Sequence, residues 1–218
     1  MIEYRTSSCH RFGHPDIIAA IDESSHLDPS WLTSFFDDGV ANGKVFRTNE
    51  TVQIGWMLTS LKQIESGALE LWEPQFGALP VKWVRGVNNT IRHLILQKSI
   101  AELFSREPVF PSFRDAAFVT TSFLAASDEP DFTMYRQQPS GNDSGWRLDI
   151  IPGTNSGVLQ SLLELSFHHA IIVPFLALPT ATLVSNTSDE IVIEHAGRRI
   201  TSNQNQLLAE LHKSKIWT

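Results

Sequence analysis

The amino-acid sequence predicts an α+β protein, with antiparallel sheets flanked by helices and two subdomains. Three observations carry that expectation. A helical stripe of apolar residues near the N-terminus gives way at residue 52 to strict alternation, the period of a half-buried strand. Helices and hairpins then follow in mixed order, without the regular strand-helix-strand succession of a doubly wound parallel sheet. Finally, Ser105-Arg106-Glu107-Pro108-Val109-Phe110-Pro111-Ser112 contains two prolines, which favour extended backbone before them and stop helix propagation. That segment reads as a linker between a domain over 1–106 and a second over 113–218.

Asp28 followed by Pro29 forms a helix start: a side-chain cap, then a residue whose missing amide hydrogen costs nothing in the first turn. Trp31, Leu32, Phe35, Phe36 and Val40 recur at helical spacing, so a helix is expected over 29–41, ending near Asn42-Gly43. Val52, Ile54, Trp56 and Leu58 alternate with Gln53, Gly55, Met57 and Thr59 as in one strand. Glu65-Ser66-Gly67 turns the chain into a second strand carrying Leu69 and Leu71. Val81-Lys82-Trp83-Val84 reads as a short strand, and Asn88 or Asn89 caps a helix holding Ile91, Leu94, Ile95, Ile100, Leu103 and Phe104. Beyond the prolines, strands are expected near 116–122, 131–137 and 145–151, and a helix near 156–169. Ala170 to Pro179 reads as a buried strand and turn. A hairpin is expected near 181–201, turning at Asn186-Thr187-Ser188-Asp189, and a last helix from about 203.

At 218 residues the chain is long enough to bury roughly 70% of the surface that its unfolded form exposes. A hydrophobic fraction of 42% with 19% charged residues is ordinary for a globular protein and argues against extensive disorder. The net charge of −7 disfavours nucleic acid as a partner, since phosphate-backbone affinity comes from lysine and arginine. Cys9 is the single cysteine, so no internal disulfide forms. The N-terminus lacks a basic segment followed by an apolar run, and no stretch reaches 18 apolar residues. A cytoplasmic location away from the membrane is therefore expected.

Cys9, His10 and His14 are the candidate metal or nucleophile cluster, because thiolate and imidazole bind zinc and an adjacent base can activate a thiol. Gly13 and Pro15 break the helix that would align His10 with His14, and no second donor pair is evident, so structural or capping roles are favoured and no cofactor is expected. His93 reads as a core or boundary residue, His168-His169 as a helix C-terminal cap, and Arg198-Arg199 as part of a solvated strand. Phosphate-loop, dinucleotide, HExxH and GxSxG motifs are absent from the sequence.

The stretch from Tyr135 to Arg147 differs in kind. Gln137 to Asp143 is rich in turn formers, and each end carries an aromatic residue followed by arginine, Tyr135-Arg136 and Trp146-Arg147. Phe132, Met134, Trp146 and Leu148 supply apolar anchors for two strands. Tryptophan and arginine are enriched at binding hot spots, so an exposed docking bend is expected, with Tyr135, Arg136, Asp143, Trp146 and Arg147 contacting a partner. The structural alternative places Trp146 in the core, makes Asp143 an Asx-type acceptor and pairs the arginines with acids.

Ala117 to Ser122, Phe132-Thr133-Met134-Tyr135-Arg136, and Pro139 through Asp143-Ser144-Gly145-Trp146-Arg147 together resemble the bacterial immunity protein 33 family, with a weaker echo in Phe175 to Thr182. The resemblance covers about residues 115–185. After Arg147 the chain departs from the family pattern, running apolar through Leu148 to Pro152 where relatives continue with polar residues. Family members look like antidotes to polymorphic toxins, so the resemblance implies a non-catalytic binding protein that neutralises a cognate toxin. An acidic chain suits a basic toxin. The alternatives are an enzyme using Cys9, His10 and His14, or a regulatory interaction module, for which an unpaired strand edge would also permit a homodimer.

Overall fold

The computed structural model describes residues 1–126, 131–150 and 156–213. The fold is α+β, and the chain divides into two compact units, Met1–Ile95 and Leu96–Thr218.

In the first unit, β1 (Ile2–Arg5), β2 (Ile17–Ile21), α1 (Ser30–Ala41), β3 (Thr51–Ile54), β4 (Met57–Gln63), β5 (Leu69–Pro74) and β6 (Trp83–Arg85) precede α2 (Asn88–Glu102), the helix in which the division falls. The sheet runs β1-β2-β5-β4-β3, with β6 pairing β5 from Trp72 to Pro74. It is antiparallel except for β2 against β5. The Asp28 carboxylate accepts the Ser30 amide at 2.9 Å, next to the first turn of α1. Leu32, Phe36 and Val40 are buried, whereas Trp31 and Phe35 are exposed. The apolar spacing of α1 thus resolves into an inner stripe and an outer pair.

Residues 52–58 form a hairpin and not the single strand expected. Ile54 pairs with Met57, and the two-residue turn opens on Gly55 at φ +62°, the left-handed start that matches the twist of adjoining strands. β4 is buried from Met57 to Leu61, so both of its faces are covered. The α2 cap also differs from expectation. The buried Glu73 carboxylate accepts the amides of Asn89 and Thr90, the latter at 2.7 Å, while the Asn88 side chain binds Asp22. A carboxylate from a neighbouring strand thereby satisfies the free helix donors.

In the second unit, β7 (Ala116–Thr120), α3 (Thr121–Ala125), β8 (Phe132–Arg136), β9 (Asp143–Ile150), β10 (Gly157–Ser161), α4 (Leu162–His168), β11 (Leu183–Asn186), β12 (Ile191–His195), β13 (Arg198–Thr201) and α5 (Gln206–Lys213) follow in order. The sheet runs β10-β7-β9-β8-β11-β12-β13, with β7 and β9 parallel. The expected strands at 116–122, 131–137 and 145–151, the 181–201 hairpin and the last helix correspond to β7, β8, β9, β11 to β13 and α5; Ile151 lies outside the described residues.

Two expectations for this unit are corrected. The helix expected over 156–169 begins only at Leu162, because Ser161 accepts the Glu164 amide as N-cap and Gly157 to Ser161 pairs instead with β7. Ala170–Phe175 is a buried 3₁₀ helix, with i to i+3 bonds such as Ile172 N–H to His169 O at 3.1 Å, and not a strand. His168 and His169 end α4 as expected, and Arg199 on β13 pairs with Glu190 and Glu194.

Candidate functional site

The β8–β9 connection is built from the inside outward. Along β8, Phe132, Met134 and Arg136 alternate inward while Tyr135 points out; along β9, Trp146 and Leu148 are buried. Gln137 to Asn142 are all exposed. The tip closes through Ser140 N–H to Asp143 O at 3.0 Å and the reciprocal bond at 2.9 Å, and the base through Gln137 N–H to Gly145 O at 2.8 Å.

Asp143 organises the return strand. Its Oδ1 accepts the Gly145 amide at 2.8 Å, the Asx arrangement expected of it, and its carboxylate receives a two-pronged guanidinium contact from Arg147 at 2.7 and 3.0 Å. The Arg147 hydrogen bonds come first in holding the Asp143 carboxyl below its ordinary range. Arg147 also lies over the Phe118 ring at 5.7 Å.

Arg136 and Trp146 take a different place from the one expected of contact residues. Arg136 is 1% exposed and Trp146 is fully buried. Among the described residues the Arg136 guanidinium forms no ion pair within 4 Å and donates instead to backbone carbonyls: Val109 at 2.7 Å, Leu176 at 3.2 Å, Leu178, and Ser144 through Nε at 3.4 Å. Burial pushes its pKa down to about 10, which still leaves it charged at neutral pH. The Trp146 indole donates to Leu176 O at 3.0 Å and lies 5.5 Å from the guanidinium. Together they hold the carbonyls of Leu176, Leu178 and Val109. The proline-containing stretch is therefore pinned at Val109, whose own amide donates to Ala177 O at 2.8 Å. Of the five residues expected to touch a partner, Tyr135, Asp143 and Arg147 reach the surface, and Arg136 and Trp146 support them from beneath.

Cys9, His10 and His14 do not converge on one concave site. Cys9 is buried in a 3₁₀ turn, where burial first, then Asp37, push its thiol up, the direction opposite to nucleophile activation. His10 is exposed, with Nδ1 3.5 Å from Asp16. His14 is buried, with Nδ1 2.7 Å from Pro15 O and Nε2 accepting the Phe46 amide at 2.9 Å. Its ring is thus a brace between two backbone segments. Among the described residues, no group of three or more His, Cys, Asp or Glu is placed to hold a metal. Sequence reading missed Asp37, which accepts the amides of Ser7 and Ser8 at 2.8 Å each and both hydroxyls.

Asp37 makes the N-terminal turn acid-sensitive. Burial raises its pKa, but the serine donors outweigh that and hold the carboxyl well below the ordinary range. A folded value below the unfolded one means that its stabilising contribution is complete above the unfolded value, about pH 4, and is lost as pH falls toward the folded value. Asp37→Asn is expected to lower the melting temperature at pH 7 and to shrink the fall in stability between about pH 4 and pH 2; melts across that window check it, and an unchanged acid limb contradicts it.

His93 is buried against Trp56 and Phe76, with Trp56 Nε1 donating to its Nδ1 at 3.3 Å, which fits the core role expected of it. Among the described residues, no helix is long and apolar enough to cross a membrane. No protein-family model, curated protein or solved structure matches the chain.

Proposed function

We propose that the protein is a non-catalytic antidote that neutralises a protein toxin by direct binding, in the manner of the immunity protein 33 family that residues 115–185 resemble, acting in the cytoplasm. The contact surface is the exposed 137–142 bend with Tyr135 and Arg147. One observation supports this reading above the others: six consecutive exposed residues, four of them polar, form a bend closed by the Ser140–Asp143 and Gln137–Gly145 backbone bonds and braced by the Asp143–Arg147 pair. A bend already ordered in the free protein loses little conformational freedom on binding, which favours affinity. The net charge of −7 suits a basic toxin by speeding encounter.

Co-expression with any toxin domains encoded beside its gene tests the reading. Restored growth and a complex that survives purification are expected; absence of both with every neighbouring toxin counts against it.

A further inference from the structure

The seven-stranded sheet ends at β10, and this edge is open on both faces. Leu159 is 60% exposed and Val158, on the opposite face, is 46% exposed. Thr121 N–H donates to Ser156 O at 3.0 Å and Leu162 N–H to Asp115 O at 2.9 Å, so the even-numbered residues between them bond back to β7. Gly157, Leu159 and Ser161 therefore turn their amides away from the sheet, and among the described residues nothing bonds to those amides. The Phe118 ring covers Gly157, where a Cβ would come within 2.7 Å of it, and carries the apolar surface of the edge on to β7.

Edge strands are ordinarily kept apart by charge, proline, a bulge or a covering element. β13, at the far edge, carries Arg198 and Arg199, whereas β10 has no charge, proline or bulge. No Asp, Glu, Lys, Arg or His occurs from Ile150 to Leu163. Asp115, Asp149 and Glu164 flank the edge, and each is engaged: Asp115 accepts the Ser112 amide at 2.8 Å, Asp149 the Thr120 hydroxyl at 2.7 Å, and Glu164 the Gln160 side chain. With no charge to select an acidic or a basic strand, the edge suits a strand that matches its own spacing. Two copies related by a two-fold axis at Leu159 do so. Leu159 then stands opposite Leu159 and Gly157 opposite Ser161, every pair is drawn from outward-bonding residues, and no like charges are opposed.

We propose that β10 is the seam of a two-fold dimer of this chain, in which antiparallel β10 strands join two seven-stranded sheets into one. Each Leu159 exchanges backbone hydrogen bonds with its counterpart, each Ser161 amide meets the other copy's Gly157 carbonyl, and the Leu159 side chains meet on the outer face. A pair of five-residue strands buries less than the roughly 1,200 Å² at which stable interfaces begin, so the dimer dissociates in the range of about 10–100 μM. Each copy carries a net charge of −7, and salt that screens this repulsion strengthens the dimer. A basic partner strand would show the opposite salt dependence. The dimer does not depend on the toxin-binding reading.

Sedimentation of the full chain from about 5 to about 500 μM tests the proposal. A monomer–dimer equilibrium is expected, shifting toward dimer between about 0.05 and about 0.5 M salt, with amide exchange at Leu159 that slows as protein concentration rises. Leu159→Lys, at an exposed position, is expected to weaken the dimer about fivefold or more by setting like charges opposite one another, while the melting temperature of the monomer holds. Arg198→Gln, on the far edge, is expected to leave the dimer unchanged. A monomer at every concentration overturns the proposal and leaves the edge to a strand of another protein. It is equally overturned by association that runs past the dimer, by association that salt weakens, by a dimer unmoved in Leu159→Lys, or by exchange at Leu159 that ignores concentration.

Discussion

Arg136→Met is expected to destabilise the protein by about 3–5 kcal/mol. Methionine fills much of the same space but donates nothing, so the Leu178 carbonyl, in a buried residue, loses its guanidinium donor, and the Leu176 carbonyl keeps only the Trp146 indole. Each unsatisfied buried acceptor costs about 1–3 kcal/mol. Val109 O loses the same donor, which loosens the proline-containing stretch. Arg136→Lys is expected to recover only part of the loss, since lysine has no counterpart to the Nε that donates to Ser144 O and its shorter side chain ends before the Nη1 position that serves Val109, Leu176 and Leu178. Urea unfolding of the three proteins measures the difference, and a midpoint for Arg136→Met within error of the wild type would remove the structural role given to this side chain.

Gly145→Ala is expected to cost about 2–4 kcal/mol. Gly145 sits at φ +82°, and a Cβ placed there would lie 2.2 Å from Gln137 O and 3.3 Å from Pro139 N, both backbone atoms at the mouth of the bend. Relief requires the β8 and β9 ends to part, which breaks the Gln137 N–H to Gly145 O bond that closes the bend. The same substitution therefore tests preorganisation: it is expected to weaken toxin binding as well as stability, and faster amide hydrogen exchange at Gln137 reports the opening directly. Unaltered exchange at Gln137 together with an unaltered melt contradicts the geometry.

Much of the fold was legible from periodicity and turn chemistry. The stripe of Leu32, Phe36 and Val40, the Glu65-Ser66-Gly67 turn, and β7, β8, β9, β11 and β12 all carry local signals that agree with their packing. The Gly55-Trp56 hairpin was hidden because β4 is covered on both faces, so alternation there carries no information about which side is in, although a Gly-X pair is itself a hairpin signal. The boundary between β10 and α4 was hidden because Leu159, Leu162, Leu163 and Leu165 fit helical spacing. The capping pattern of Ser161 and Glu164 marks the true start.

The candidate site was half legible. Arg136 shares the inward phase of Phe132 and Met134, so the two-residue period already assigned it to the buried face, against the general rule that arginine stays outside. What could not be read is the reason burial is tolerated: the carbonyls that receive the guanidinium come from residues 109, 176 and 178, brought together only by the tertiary fold. Likewise, Trp31 and Phe35 share helical spacing with the core stripe, and nothing in one sequence separates an apolar pair facing inward from one left outside.

The most direct test of the account is a comparison of complex formation with stability in the double variant Tyr135→Ala, Gln138→Ala, using a neighbouring toxin that the wild type binds. Both side chains are exposed, so the melt should stay within about 0.5 kcal/mol of the wild type, while affinity should drop at least about tenfold, as expected when an aromatic contact is removed. Wild-type affinity in this well-folded variant would contradict the assignment of the 135–147 bend as the toxin contact.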